Sequence, residues 1–567
     1  MSYAVEKFEP VKVLDTRIDL AEAPVYAILQ GGAKHSVLGY APSATSSTQL
    51  TFNITTPSPA VVVSRKMMLK TTITLSIVGK ALSNNGPCVS VGSSDAARNF
   101  PIASCTDQLT LSINNTAMSV PLREVFGAMK WIQGDKLMTL CDEVPSFFDN
   151  AQQYADFVGS NRNALGGAYT SNTEYTRGAF PYALVTYGAS GITTGWNLGD
   201  SVTSVVTFQV AEPVFISPLQ WAQVSQGMIG VQNMSLNLQL SNTARMWSSS
   251  QSTSSNPLVI TAGASAGTQV PGSASAPLFG TPLLYLEYIT PPITEAMPKQ
   301  VSLPYHVVQP YITSAAAAFP VSSLTNYQTR SIQSQSIQLQ SVPQYAIVYA
   351  RRPNGSESYN NPDSFLGLRN LSITFNNQTG LLSTAQPEHL YAMSRKNGVT
   401  QTWLEWYGRG FAGTSGTATA VGLAGSVCVL EFGTDIPIDD SLAPGVAGTF
   451  QFSLNATFEN TSSDSTLTPN LYVVFVHEGI LTIGEGRAYA QVGVVSAADV
   501  LDAKTAPTIN QAALMEAGGN FYSSMAEKIR KHLHFKPKGA GLVYPKGDEG
   551  RFGGAMLGRT QLKARLA

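Results

Sequence analysis

The sequence is poor in charged residues. Asp, Glu, Lys and Arg make up 13% of its 567 residues, whereas about a quarter is usual for soluble proteins. Gly, Ser, Thr, Asn and Ala are abundant instead, so hydroxyl and amide groups supply much of the polarity. Because charged residues are depleted where proteins bind one another, this composition favours a protein that covers much of its surface with copies of itself. A secreted adhesin has a similar composition, so that alternative stays open here.

Cysteines and long apolar runs are scarce as well. The four cysteines have no CxxC spacing and are too sparse for a disulfide framework, so we expect free, buried thiols at Cys88, Cys105, Cys141 and Cys428. No apolar stretch reaches the roughly 18 residues that a membrane-spanning helix needs. The N-terminal residues lack the basic and then apolar build of a signal peptide. We therefore expect a soluble protein that is made in the cytosol.

Patterns of catalysis and metal binding are also missing. There is no GxSxG, P-loop or catalytic Cys–His arrangement. The aspartates of residues 435–440 lack calcium-loop spacing, and His532 and His534 fit a solvated tail better than a metal site. Glu388 and His389 fit a polar helix surface better than an acid–base pair. We expect no cofactor, no metal and no enzyme activity, although an unseen carboxylate pair of a jelly-roll glycosidase stays open.

What the sequence does contain is an internal repeat of three blocks. Residues 108–116 (Gln-Leu-Thr-Leu-Ser-Ile-Asn-Asn-Thr) return as residues 370–379 (Asn-Leu-Ser-Ile-Thr-Phe-Asn-Asn-Gln-Thr). Ser-Leu-Asn at 235–237 returns at 453–455, and Thr-Pro-Leu-Leu-Tyr at 281–285 returns as Thr-Pro-Asn-Leu-Tyr at 468–472. The blocks keep their order, which predicts two copies of one β domain in tandem.

The polarity pattern around these blocks predicts many strands and few helices. Alternating or continuous apolar runs predict strands at 49–54, 68–78, 345–350, 427–432, 450–454 and 471–476. A short helix is predicted after each Asn-Asn pair, at 121–131 and at 387–396. We therefore predict an all-β fold of two tandem antiparallel jelly-roll sandwiches with short helices and long loops.

The repeat also predicts the domain order. We expect an N-terminal arm at 1–48, a first jelly roll at 49–292, a second at 293–495 and a basic C-terminal tail at 496–567. The spacings between matched blocks are longer in the first copy, by about 44 and 31 residues. Long loops of this kind usually protrude or carry function, and we place them at about 155–200 and 248–276.

Positive charge is concentrated in the tail. Residues 521–567 contain ten basic and three acidic residues, a net charge of +7, which leaves −8 on the rest of the chain. Apolar residues recur at helical spacing from 521 to 533, which predicts a basic amphipathic helix that could dock within an assembly, contact nucleic acid or a membrane, or only add solubility. The residues expected to make such contacts are Lys528, Arg530, Lys531, Lys536, Lys538, Arg559, Lys563 and Arg565.

Several segments together resemble a known family of viral proteins. They are residues 46–54 with the following Pro-Ser-Pro, 109–115 leading into 120–126, 215–219 before 230–238, and 388–394 before Asn397-Gly398. In their order and spacing they resemble the double jelly-roll major capsid proteins of Polinton-like viruses, adintoviruses and virophages, which belong to the adenovirus and tail-less phage capsid lineage. The resemblance covers roughly residues 30–495.

The resemblance implies a structural role. It implies a homotrimer that forms a pseudo-hexagonal capsomer and tiles an icosahedral shell around a DNA genome, with the long loops of the first copy in the outward tower. The implied partners are copies of the chain itself, penton and minor or cement proteins, and genome or an internal membrane for the tail. The implied location is the virion, after synthesis as a soluble protein in the host cell. A surface adhesin or carbohydrate-binding protein would instead need an export signal or exposed aromatics with acids, and neither is visible.

Overall fold

The computed structural model describes residues 34–501 apart from several internal segments, chiefly 133–182, 189–194, 218–226, 267–273, 292–297 and 413–418. The described part does not include the eight tail residues that were expected to make contacts, Cys141, most of the loop at 155–200 or the first 33 residues. In the part that is described, no helix is both long enough and apolar enough to cross a membrane.

The first copy contains two large antiparallel sheets. One has the strand order β1-β13-β4-β9-β8 with β12 beside β4, the other has the order β2-β3-β10-β6-β7, and β5 pairs with β11. The elements are β1 Lys34–Tyr40, β2 Ala44–Thr45, β3 Gln49–Thr55, β4 Val62–Lys80, β5 Asp95–Ala97, α1 Pro101–Cys105, β6 Thr106–Ile113, β7 Thr116–Val120, α2 Leu122–Ile132, β8 Ala183–Gly188, β9 Ser201–Pro213, β10 Asn233–Leu240, β11 Trp247–Ser249, β12 Val259–Ala262 and β13 Phe279–Thr290.

The second copy repeats this plan. One sheet has the order β14-β24-β17-β22 with β25 beside β24, the other has the order β15-β23-β18-β19 with β16 beside β23, and β20 pairs with β21. The elements are β14 Gln300–Ser314, β15 Thr329–Gln333, β16 Ile337–Ser341, β17 Tyr345–Arg351, β18 Gly367–Phe375, β19 Gln378–Leu381, α3 Pro387–Lys396, α4 Trp403–Tyr407, β20 Arg409–Ala412, β21 Thr419–Gly422, β22 Cys428–Glu431, β23 Ala447–Glu459, β24 Asn470–Gly484 and β25 Arg487–Val492.

The inward faces of the sheets form the core because alternate side chains of a strand point to one face. In β3, Leu50, Phe52 and Ile54 are buried while the residues between them are exposed or half-buried. In the second copy the two sheets meet at Phe452 of β23 and Phe475 of β24, whose ring centroids lie 4.9 Å apart. Each fully buried side chain of this size contributes about 1.5–3 kcal/mol relative to an exposed one.

The duplication predicted from the repeated blocks is confirmed strand by strand. The blocks fall on equivalent strands, β6 and β18, β10 and β23, and β13 and β24, which have the same neighbours in their sheets. Even the register agrees, since Leu236 pairs with Leu111 in the first copy, and Leu454 pairs with Ile373 at the matching positions of the second. A slip of one residue would turn the apolar side chains outward. Because the register agrees, equivalent positions point into the core in both copies.

The Asn-Asn pairs recur because their backbone and side chains both serve a hairpin. Asn114 and Asn376 have φ angles of 44° and 50°, a left-handed conformation that Asn tolerates better than most residues. The side-chain oxygen of Asn114 accepts hydrogen bonds from the N–H groups of Gln232 and Asn233, at 2.8 and 3.3 Å. The side-chain oxygen of Asn376 accepts one from the N–H of Gln451, at 3.1 Å. Each asparagine therefore ties the hairpin to the central strand of its sheet.

Several element boundaries differ from the sequence-based expectations. The residues before 49 were expected to form an arm, but β1 pairs along its whole length with β13 and β2 pairs with β3. Six of the seven β1 residues are exposed, so the burial alternation that marks other strands is missing there. The expected loop at 248–276 contains β12, which pairs with β4. The short helices α1 and α4 were not predicted, whereas the helices after the two hairpins are confirmed.

Three of the four cysteines lie in the described part of the chain. Cys88, Cys105 and Cys428 are free and buried, as the sequence predicts. Burial raises the pKa of the Cys428 thiol to about 12. These thiols are therefore protonated at neutral pH and act as small apolar side chains.

We predict that Asn114→Ala lowers the free energy of unfolding by about 2–3 kcal/mol, because it leaves buried main-chain groups unpaired and keeps a strained φ. Asn376 makes fewer such bonds and is half-buried, so Asn376→Ala is expected to cost about 1 kcal/mol. Denaturant unfolding measures both values. Asn377→Ala is the control, since the φ of Asn377 is not left-handed. Equal effects of all three variants would contradict this account of the hairpins.

Candidate assembly site

Helix α2 lies between the two copies, which belong to one compact unit of the chain. Its apolar face packs on its own copy, where the ring of Phe126 lies 5.7 Å from that of Phe100 and 4.8 Å from that of Phe215 between centroids. Its other face meets the second copy. A helix buried on two sides explains why seven of its eleven residues are buried.

The residues of α2 that face the second copy follow a helical spacing, and we call this set of residues the α2 stripe. Its members contact the second copy through side chains or main chain, and they are Arg123, Glu124, Gly127, Lys130 and Trp131. The spacing i, i+1, i+4, i+7, i+8 places them on one side of a helix.

Gly127 allows the close approach at the middle of this stripe. A methyl group added there would lie 3.6 Å from Cζ of Phe365 and 3.8 Å from Nη1 of Arg351. Those distances are ordinary contacts, so an alanine would fit, whereas a larger side chain would meet the second copy. A small residue is therefore required at this point of the stripe.

A buried carboxylate joins three cations of the first copy to the second. Asp363 lies 2.8 Å from Nζ of Lys130, forms an ion pair with Arg245 and lies 3.9 Å from Nη1 of Arg98. All four side chains are at most 6% exposed. Burial by itself would raise the pKa of Asp363, but the charges of Lys130, Arg245 and Arg98 hold it well below its usual range. Asp363 is therefore ionised wherever the protein is folded near neutral pH.

A second carboxylate continues the ionic contact. Glu357 of the second copy lies 3.5 Å from Nε of Arg245 in the first copy and 3.5 Å from Nη1 of Arg351 in its own. Arg351 in turn donates a hydrogen bond of 2.7 Å to the carbonyl oxygen of Arg123 in α2. The guanidinium groups are thus shared between carboxylates and main-chain oxygens of both copies, which gives a network instead of isolated pairs.

Uncharged hydrogen bonds extend the contact on both sides of the ionic network. The hydroxyl of Tyr349 donates to the carbonyl oxygen of Glu124 at 2.5 Å. The N–H of Thr400 donates to the carbonyl oxygen of Trp131 at 2.8 Å. The hydroxyl of Thr116 donates to the carbonyl oxygen of Ala488 at 2.6 Å, which joins β7 to β25. These bonds restrict both tilting and sliding of one copy on the other.

A buried glutamate holds the helix on which α2 rests. The carboxyl of Glu212 in β9 accepts hydrogen bonds from the N–H groups of Ile102 and Ala103 at 2.8 and 2.9 Å, and so ties α1 to β9. Burial raises the pKa of Glu212 to about 7, against the lowering effect of those two donors and of Lys130. This support is independent of the second copy.

Asp435, one of the aspartates considered for a calcium loop, has a structural role. Asp435 accepts hydrogen bonds from the N–H of Glu431 at 2.9 Å and from the side chain of Asn397 at 2.7 Å, so it stabilises a turn. Among the described residues there is no group of three or more His, Cys, Asp or Glu side chains that could hold a metal ion. The tail residues expected to make assembly contacts lie outside the described part.

The ionic network itself was not predicted from the sequence. Lys130 and Asp363 are 233 residues apart, and neither belongs to a motif. One signal was present, because Lys130 lies on a short helix rich in apolar residues in a chain with few charges. A charge in such a place is rarely buried unless it is paired.

We predict that Asp363→Ala lowers the free energy of unfolding by about 3–5 kcal/mol, because it leaves three buried cations without their shared carboxylate. Asp107→Ala is the matched control, since Asp107 pairs with Arg123 at 3.0 Å but is 45% exposed. It is expected to cost about 1 kcal/mol or less. Denaturant unfolding of both variants at one protein concentration measures the difference. A cost for Asp363→Ala no larger than that of the control would refute the importance of the network.

Comparison with known proteins identifies this arrangement. The family model of the first domain of the Sputnik virophage major capsid protein matches residues 6–279, and that of the C-terminal domain of the V20 major capsid protein matches residues 309–479. The chain is 29% identical over 550 residues to a Sputnik virophage protein described as capsid protein V20, which covers 94% of this chain and 88% of that protein.

Solved structures agree with the sequence comparison. A chain of the Sputnik virophage cryo-EM structure matches with a TM-score of 0.66 and 27% identity, over 91% of this chain and 99% of that one. The mavirus major capsid protein matches with a TM-score of 0.62 over 88% of this chain and 98% of its own, and at 14% identity it supports the fold alone. The chain therefore belongs to the double jelly-roll major capsid proteins of the virophage type, and its role is that of a non-enzymatic component of the capsid shell.

Proposed function

We propose that this capsid protein acts as a homotrimer whose six jelly rolls form a pseudo-hexagonal capsomer, and that these capsomers tile an icosahedral shell around a DNA genome. The observation that carries the proposal is the duplication. Two sandwiches with the same strand order and register are held as one block by a buried ionic network. Three such blocks supply six similar corners, the number that a hexagonal tile needs.

The composition supports self-association. Large apolar side chains are exposed on several strands, and they include Val37 at 63%, Val259 at 58%, Tyr489 at 55% and Ile480 at 46%. Obligate assemblies bury several thousand Å² per interface and are more apolar than other surfaces. A low-charge exterior of this kind suits permanent coverage by neighbouring copies.

Electron microscopy and mass measurement of the purified full chain test this function. We expect a particle of three chains with a hexagonal outline, and shells under assembly conditions. A chain that stays monomeric at the highest soluble concentration would contradict the proposal. Trimers with a triangular outline and without six similar corners would contradict its pseudo-hexagonal part.

We further propose that the basic tail, with Lys528, Arg530, Lys531, Lys536, Lys538, Arg559, Lys563 and Arg565, docks within the assembly. Contact with the genome or with an internal membrane is the alternative for the same charges. Penton and minor or cement proteins are proposed as further partners in the shell. Synthesis as a soluble protein in the host cell precedes assembly in this scheme.

We predict that truncation after Gly519 leaves capsomer formation intact but reduces the yield of closed shells. Replacement of the eight basic residues by Gln in the full chain is the control, because it removes the charge and keeps the chain length. If the charges make the contact, both variants lose closed shells to the same degree. If the apolar residues make it, only the truncated protein loses them. Normal shells with a normal genome content in the truncated protein would show that the tail has no docking role.

A further inference from the structure

Helix α3 of the second copy is the counterpart of α2, but it is much less covered. Both helices follow the short second strand of an Asn-Asn hairpin, β7 and β19. In α2 seven residues are buried, whereas in α3 only Leu390 and Ser394 are. Of the buried residues of α2, Gly127, Lys130 and Trp131 contact the second copy. The described residues of one chain place no equivalent cover on α3.

The exposed residues of α3 repeat the spacing of the α2 stripe. They are Glu388, His389, Ala392, Arg395 and Lys396. A single shift of 265 residues converts the α2 stripe into this set. The shift places Ala392 at the position of Gly127 and Arg395 at the position of Lys130. A small residue in the middle and a cation near the C-terminal end are therefore present on both helices.

The surface that receives α2 also has a counterpart in the first copy. Arg351 at the end of β17 lies opposite Asn470 of β24. The repeated block equates Asn470 with Leu283 of β13, which lies opposite Lys70 of β4. Lys70 thus occupies the position of Arg351 and is a cation too. It is exposed in the chain, whereas Arg351 is only 4% exposed.

The two free surfaces are complementary in charge. In the chain, Arg351 donates to the main chain of Arg123, the first member of the α2 stripe. The equivalent positions on the free surfaces are Lys70 and Glu388, which carry opposite charges. Beside α3, the rings of Trp403 and Tyr391 meet edge to face with 5.4 Å between their centroids, and Leu404 is 58% exposed. Aromatic and apolar residues of this kind are enriched in protein interfaces.

We propose that α3 docks on the first copy of a second chain, where β4 carries Lys70, so that Glu388 of one chain lies beside Lys70 of the next. The contact between chains then repeats the contact between the two copies within a chain. This proposal rests on the trimer proposed above and specifies the surface that forms it. Three such contacts close a ring in which first and second copies alternate.

A charge-reversal cycle in the full chain tests the pairing. Lys70→Glu and Glu388→Lys each place like charges together, so each is expected to raise the dissociation constant of a chain–chain contact at least tenfold. The double variant restores opposite charges and is expected to return within threefold of the wild type. Analytical ultracentrifugation over a concentration series measures the constants. Lys299→Glu, an exposed cation outside both surfaces, is the control and is expected to leave them unchanged.

A steric pair tests the same helix without any charge. Ala392→Trp is expected to abolish trimers, and Ala392→Ser to leave them intact. Ala392 is exposed in the single chain, so the unfolding midpoint of a monomer is expected to stay unchanged in both variants. The rate at which Lys396 is acetylated in the wild type is a measurement that needs no variant. This rate is expected to be at least fivefold lower in the trimer than in the dissociated chain.

The outcomes separate this inference from the function on which it rests. If Ala392→Trp and both single reversals still form trimers with wild-type affinity, the proposed docking surface is wrong, but the proposed trimer is not contradicted. A double variant no better than the single ones would overturn the pairing of Glu388 with Lys70. A wild type that forms no trimer would overturn both proposals.

Discussion

The ion pair between Lys130 and Asp363 is the contact on which the rest of the architecture depends. It joins the last turn of a helix of the first copy to a loop of the second, and both groups are almost fully removed from water. Uncharged hydrogen bonds also join the two sandwiches, but the buried charges belong to this network. Buried ion pairs often add little net stability compared with apolar groups of the same size, but each one requires a specific geometry. We interpret the network as the feature that fixes the orientation of the two copies.

A fixed orientation is what a capsid tile needs from its building block. The comparisons place the chain among capsid proteins of the virophage type, and no chemical turnover is required of it. Its activity is mechanical and consists of shape and coverage. The duplication makes the two halves alike, and in the proposed trimer the contact between chains repeats the contact between these halves. In the proposed trimer, α3, the counterpart of the helix that closes the contact within one chain, makes the contact between chains.

Much of the fold could be predicted from the sequence, because strands with one buried face reveal themselves by alternation. The repeated Asn-Asn blocks showed the duplication since each asparagine has a defined task in a hairpin. Strand β1 was missed because its side chains are mostly exposed and its main chain is held by β13 alone. The network around Asp363 was missed for another reason. Its members come from distant parts of the chain, and only the folded structure brings their charges together.

The buried ionic network requires the two jelly rolls to behave as one mechanical block. Hydrogen exchange followed by mass spectrometry, along a denaturant series at one protein concentration, tests it most directly. Peptides from β10 and β23, the central strands of the two copies, are expected to lose protection at the same denaturant concentration. Asp363→Ala should then separate the two midpoints. Separate midpoints already in the wild type would contradict the claim, because they would show two sandwiches that fold and open independently.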